Sequence, residues 1–178
     1  MRPRLKICCI SSVEEAGIAV AAGEDALGLV RDVPSGNGNI SEAVIRQIAQ
    51  ATPPPVATVL LTQQSDGAEI AAQITSVGVN TGQLVRHLDV EEHVRLKGHL
   101  PAAVRVIQVI HVEDETALDL IDRYTPHIDA FLLDSGRPSA ATEELGGTGR
   151  THDWTGSAEF VSRSPKPVFL AGGLNAGN

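Results

Sequence analysis

The sequence is poor in aromatic residues, with one tryptophan, one tyrosine and three phenylalanines in 178 positions. Aromatic packing cannot build its interior, so Val, Ile, Leu and Ala must do so. Hydrophobic residues still make up 42% of the chain and charged residues 20%, enough apolar material for a real core. Basic clusters are also missing. The formal net charge is −8, and no lysine- or arginine-rich face of the kind that nucleic acid requires can be assembled. An acidic chain can still hold phosphate locally through backbone N–H groups. No apolar run approaches the ~20 residues that cross a bilayer. The N-terminal stretch MRPRLKICCISS is too short for a signal-peptide core, and Lys6 interrupts it. Only two cysteines occur, Cys8 and Cys9. Neighbours on a strand point to opposite faces, which argues against a disulfide between them. These absences predict no nucleic-acid partner, no membrane association, and a soluble cytoplasmic protein in a reducing compartment.

What is present is a regular alternation. Short apolar runs recur at Leu5–Ile10, Ala26–Val30, Val56–Leu61, Thr81–Val85, Val104–Ile110, Ala130–Asp134 and Val168–Gly172. Most are continuously apolar, as strands buried on both faces of a parallel sheet must be. Helical patterns lie between them. Ser12 with Glu15 reads as a capping box, and Ser41 and Asp66 open further helices. The segment from Asp89 to Gly98 is a more charged helix, Asp114 opens one through Tyr124, and Asp153 or Thr155 would cap one reaching Ser162.

Strands alternating with helices predict βα units and a parallel sheet, an α/β fold. Seven successive units point to an eight-fold (β/α) barrel of the TIM type with the last unit missing, rather than to a doubly wound sheet. The competing arrangement is an open seven-stranded sheet. The expectation is one domain over residues 1–178, truncated at its C-terminus. Two loops without periodicity, Pro34–Ile40 and Gly136–Thr151, follow strand ends on the face where barrels place their sites.

Three features fall on that face. Strand one ends in Lys6-Ile7-Cys8-Cys9, where a thiolate could act as base or nucleophile; the competing reading is a small buried hydrophobe. Asp134 closes an apolar strand and could donate a proton from the barrel mouth, or merely cap the following loop. The glycine-rich segments Gly146, Gly147, Gly149 and Gly172, Gly173 let the backbone approach an anion closely. His111 ends strand five and could face the mouth, whereas His93, His99 and His127 read as surface residues. No His, Cys and Asp spacing reads as a metal site.

The order KIC, ALGLV, QL, LLDS, GGTG, DW and AGGLN, spanning Lys6 to Asn178, resembles the phosphoribosylanthranilate isomerase family. That resemblance implies a (β/α)₈ barrel acting in tryptophan biosynthesis, without metal or organic cofactor. The implied reaction is the Amadori rearrangement of N-(5-phosphoribosyl)anthranilate to 1-(2-carboxyphenylamino)-1-deoxyribulose 5-phosphate. It implies Cys8 as general base, Asp134 as general acid, and Gly146, Gly147, Gly149, Gly172 and Gly173 as the phosphate cup. Gln83 and Asn175 are further substrate-binding candidates. The chain departs from the family at Cys9, where glycine is usual, and after strand two, where an arginine is usual; Arg86 or Arg137 could supply that charge. The alternatives are a barrel acting on another phosphosugar, or a non-catalytic remnant whose open edge a homodimer could cover.

Overall fold

The computed structural model describes residues 2–31, 33, 38–112, 115–136, 151, 154–175 and 177, with Glu115 described by its backbone only. Seven strands run in chain order: β1 (Lys6–Ile7), β2 (Ala26–Val30), β3 (Ala57–Thr62), β4 (Thr81–Leu84), β5 (Arg105–His111), β6 (Ala130–Asp134) and β7 (Val168–Leu170). Between them lie α1 (Val13–Ala22), α2 (Glu42–Ala51), α3 (Gly67–Val77), α4 (Val90–His99), α5 (Leu120–Tyr124) and α6 (Trp154–Arg163). Every strand pairs in parallel with the next, so the sheet order is β1-β2-β3-β4-β5-β6-β7. A doubly wound sheet would reverse its order at a switch point; none occurs among the described strands.

Two layers of apolar side chains flank this sheet. The larger joins strand residues such as Leu27, Leu29, Leu60 and Ile110 to helix residues such as Ile45, Ile48, Ile70 and Ile74. The last five of these, with Leu27, Leu29 and Leu60, are fully buried or within 1% of it, each contributing ~1.5–3 kcal/mol. The smaller layer, with Ala26, Val30, Val59, Val85, Ile107, Val109, Ala130 and Leu132, contains no helix residue among the described residues. A sheet face that buries its side chains only against one another has curled upon itself, which is the inside of a barrel.

Local chemistry explains the element ends. Ser12 Oγ accepts from Glu15 N–H at 3.1 Å, and Asp66 accepts from the N–H groups of Ala68 and Glu69. The capping box is displaced by one residue, because Glu15 accepts from Ser11 N–H and Oγ rather than from Ser12. The first strand stops at Ile7 rather than Ile10, because Cys9 turns into the left-handed region at φ 63°. The last strand stops at Leu170, ahead of Gly172 and Gly173 at φ 87° and 65°. The predicted helix through Tyr124 is three short pieces. A 3₁₀ segment, Glu115–Asp119, precedes α5, and another, Thr125–His127, follows it. Pro126 cannot donate to a continuing helix. Thr155 lies inside α6 rather than at its cap, and Asp153 and Asp114 fall outside the described residues.

Candidate active site at the barrel mouth

All strands run the same way, so their C-terminal ends gather on one rim. Alternation then decides which terminal residues look inward. On β5, Ile107 and Val109 belong to the inner layer and so does the face of His111, whereas Val106 and Ile110 belong to the outer layer. On β6, Ala130 and Leu132 are inner, which puts Asp134 on the same face. His111 and Asp134 are direct partners in the strand register. On β2, Ala26 and Val30 are inner, so Gly28 between them is too. A methyl group at Gly28 would meet Cys8 Sγ at 2.7 Å, which places that sulfur on the same inner face and explains why residue 28 must be glycine.

Cys8 is exposed, so the reading of it as a small buried hydrophobe is set aside. Its sulfur has a cation for a partner, since Lys6 Nζ donates to Cys8 Sγ. Residues i and i+2 on a strand share a face, and that spacing brings the ammonium to the thiol. A positive charge is the environment that a thiolate needs. Cys9 has different surroundings. It reaches solvent on one side, but burial pushes its thiol up, Cys8 adds to that, and Lys6 opposes. Cys9 therefore holds its proton more firmly than an ordinary thiol.

Asp134 is half-buried. Ser135 orients it, with N–H donating to Oδ1 at 2.7 Å and Oγ donating at 3.5 Å. This fixes the carboxyl on the rim. Gly172 closes in from the neighbouring strand end, where a methyl group would lie 2.9 Å from Ser135 Oγ and 3.1 Å from Asp134 Oδ1. The turn after β7 therefore needs glycine at residue 172 twice over, for its positive φ and for this approach. Gly173 continues the turn. Gly146, Gly147 and Gly149 lie outside the described residues, as do Arg137 and His152.

Asn175 ties this turn together, since its Nδ2 donates to Gly173 O and its Oδ1 accepts from Gly177 N–H at 2.8 Å. Gln83 lies in register with Leu61 and Ile107, both of the inner layer, and is buried with no hydrogen-bond partner on Oε1. One expectation is corrected: His93, read as a surface residue, is fully buried. Helix α4 turns His93 and Leu96 toward the sheet, one helical turn apart, and leaves Val94 outside. Its Nε2 faces Gln108 Oε1 at 3.1 Å, on the outer side of β5. His99 is exposed and His127 half-buried. Two features of the rim escaped the sequence reading, the cation on Cys8 and the role of Ser135. The signal for Lys6 was its two-residue spacing from Cys8. Among the described residues no group of His, Cys, Asp and Glu could hold a metal ion, and no helix is long and apolar enough to cross a membrane.

The family model for N-(5'-phosphoribosyl)anthranilate (PRA) isomerase matches residues 5–178. An N-(5'-phosphoribosyl)anthranilate isomerase of Halobacterium salinarum is 34% identical over 176 residues, 98% of this chain and 78% of that protein. The crystal structure of phosphoribosyl anthranilate isomerase from Thermotoga maritima superposes with a TM-score of 0.78 at 29% identity, covering 99% of this chain and 80% of that one. A further phosphoribosyl anthranilate isomerase, in complex with reduced 1-(o-carboxyphenylamino)-1-deoxyribulose 5-phosphate, superposes at 0.76 with 26% identity, over 99% of this chain and 79% of that one. With sequential parallel strands, an inward-facing cysteine and aspartate on one rim and a match over nearly its whole length, the chain belongs to the N-(5'-phosphoribosyl)anthranilate isomerase family.

Proposed function

We propose that this chain catalyses the Amadori rearrangement of N-(5'-phosphoribosyl)anthranilate to 1-(2-carboxyphenylamino)-1-deoxyribulose 5-phosphate, a step of tryptophan biosynthesis. The observation that carries the residue roles is the placement of Cys8 and Asp134 on one inner rim, each held by its own partner, Lys6 and Ser135. Asp134 delivers a proton to the furanose ring oxygen, the C1'–O bond breaks, and a protonated Schiff base forms with the anthranilate nitrogen. The C2' hydrogen is now acidic. Cys8, as thiolate, removes it, and the electron pair passes to the nitrogen to give an enolamine, which tautomerises to the aminoketone. Acid and base are thus separate groups at the ends of separate strands, each suited to one proton transfer.

The phosphate is held by the turn of Gly172 and Gly173, and Gly146, Gly147 and Gly149 are the further phosphate-binding candidates that the family resemblance implies. Positive φ angles at Gly172 and Gly173 support this, because such turns present backbone N–H groups to an anion. Gln83 is an inner-face candidate for substrate contact, and Asn175 acts through the turn it closes. The reaction needs no cofactor, and a biosynthetic isomerase of this kind fits the cytoplasm.

The test is turnover followed by loss of the substrate, on the wild-type chain and on Cys8→Ala and Asp134→Asn. Each replacement is expected to lower kcat by a factor of ~10² or more, the range general acid–base groups contribute. Turnover that survives both replacements would refute the assigned roles.

A further inference from the structure

His111 lies on the rim beside the acid but takes no part in the two proton transfers. It ends β5 and is only 5% exposed. One ring edge is fixed, with Nε2 at 3.0 Å from Val85 O. A carbonyl oxygen only accepts, so Nε2 carries the hydrogen. His87 stacks against the ring with centroids 6.0 Å apart, which holds its plane. In the neutral imidazole Nδ1 is then a lone pair, and it is buried without a hydrogen-bond partner. Buried acceptors are nearly always satisfied, so an orphan held in a candidate site calls for a donor from outside the chain. The strand neighbour, Asp134, is already engaged through Oδ1 by Ser135.

The chemistry of that donor is restricted. A lone pair repels phosphate and carboxylate, so the anionic ends of a ligand lie elsewhere. The glycine turn after β7 is two strands from β5, a separation of ~10 Å at the usual strand spacing. A phosphorylated pentose spans that distance with its phosphate at one end and its hydroxyls at the other.

Building on the isomerase reading above, we propose that His111 Nδ1 accepts a hydrogen bond from a sugar hydroxyl of the phosphorylated substrate. His111 is then a specificity-determining residue that orients the pentose against Asp134, separate from the acid and the base.

Calorimetric titration of the full chain tests this with three probes: inorganic phosphate, ribose 5-phosphate and reduced 1-(2-carboxyphenylamino)-1-deoxyribulose 5-phosphate. His111→Phe, which keeps a flat ring and removes the acceptor, is expected to weaken both sugar phosphates about tenfold, as the loss of one buried hydrogen bond does. Inorganic phosphate should bind unchanged. His111→Asn, whose Oδ1 stands near the position of Nδ1, should recover most of the loss. Equal affinity in His111→Phe, or an equal loss for inorganic phosphate, overturns the proposal. If the wild type binds ribose 5-phosphate but not the reduced aromatic compound, the isomerase reading fails while the His111 comparison still reads out. If it binds none of the three, both fail. Should His111→Phe not fold, the ¹⁵N resonance of His111 Nδ1 in the wild type gives the answer. It should move with ribose 5-phosphate and not with inorganic phosphate, and a resonance that ignores the sugar overturns the proposal.

Discussion

Replacing Cys9 by glycine should make this protein more stable, and the size of the gain follows from one backbone angle. Cys9 sits at φ 63°, the only described residue other than glycine with a positive value. For an L-residue the left-handed region costs ~1–2 kcal/mol, because Cβ crowds the following carbonyl. Glycine escapes that cost but gains freedom in the unfolded chain, which returns ~0.4–1 kcal/mol. The net gain is therefore ~0.5–1 kcal/mol, or ~1–4 °C in melting temperature for a chain of this size. Comparison with the wild type alone would confound the backbone with whatever the thiol touches. Cys9→Ala removes the same thiol and keeps Cβ, so the difference between Cys9→Gly and Cys9→Ala isolates the backbone. Urea unfolding followed by far-ultraviolet circular dichroism measures it. A glycine variant no more stable than the alanine variant would refute the reasoning, because residue 9 would then not be left-handed in solution. The wild-type turnover should persist in both variants, since the proposed base is Cys8.

Further outcomes follow from close contacts and from burial. Gly28→Ala places a methyl group 2.7 Å from Cys8 Sγ and 3.0 Å from its Cα; kcat should fall by ~10-fold or more as the proposed base is displaced, in line with the cost of small misplacements of reacting groups. Gly172→Ala meets both a φ of 87° and the oxygens of Ser135 and Asp134, so it should lose ~1–2 kcal/mol in urea unfolding and turnover with it. His93 gives a pH dependence. Burial holds its proton affinity below the usual 6.5, against the opposing pull of its acceptors Asp89 O and Gln108 Oε1. The unfolded chain then takes up a proton near pH 6.5 that the folded chain refuses, so stability is complete above that pH and declines as pH falls below it. The urea midpoint should drop between pH 7.5 and 5.5 in the wild type and drop less in His93→Leu; equal slopes would remove His93 as the cause.

Most of the fold could be read from the sequence because a barrel strand is buried twice. Ala26–Val30 and Ala130–Asp134 are continuous apolar runs, and the structure returns both with the same bounds. Helix starts were visible where a side chain caps them, at Ser12, Ser41 and Asp66. Reading failed where one residue's backbone overrides its neighbours' propensity. Cys9 ends a strand whose side chains would have continued it, and the stretch around Pro126 breaks into short helical pieces. The site divides the same way. The rim positions of Cys8 and Asp134 could be read because a residue closing an apolar strand must face the rim, and a single strand's alternation carries that information. The setting of His111 could not, because it depends on Val85, the residue after β4, supplying its carbonyl and on β6 placing Asp134 beside it. Register across strands is not written in any one segment. It follows from the curl of the whole sheet, whose inner face carries small residues such as Ala26, Gly28 and Ala130. These residues share the inner face with His111 and Asp134, and Gly28 leaves the space that Cys8 Sγ occupies.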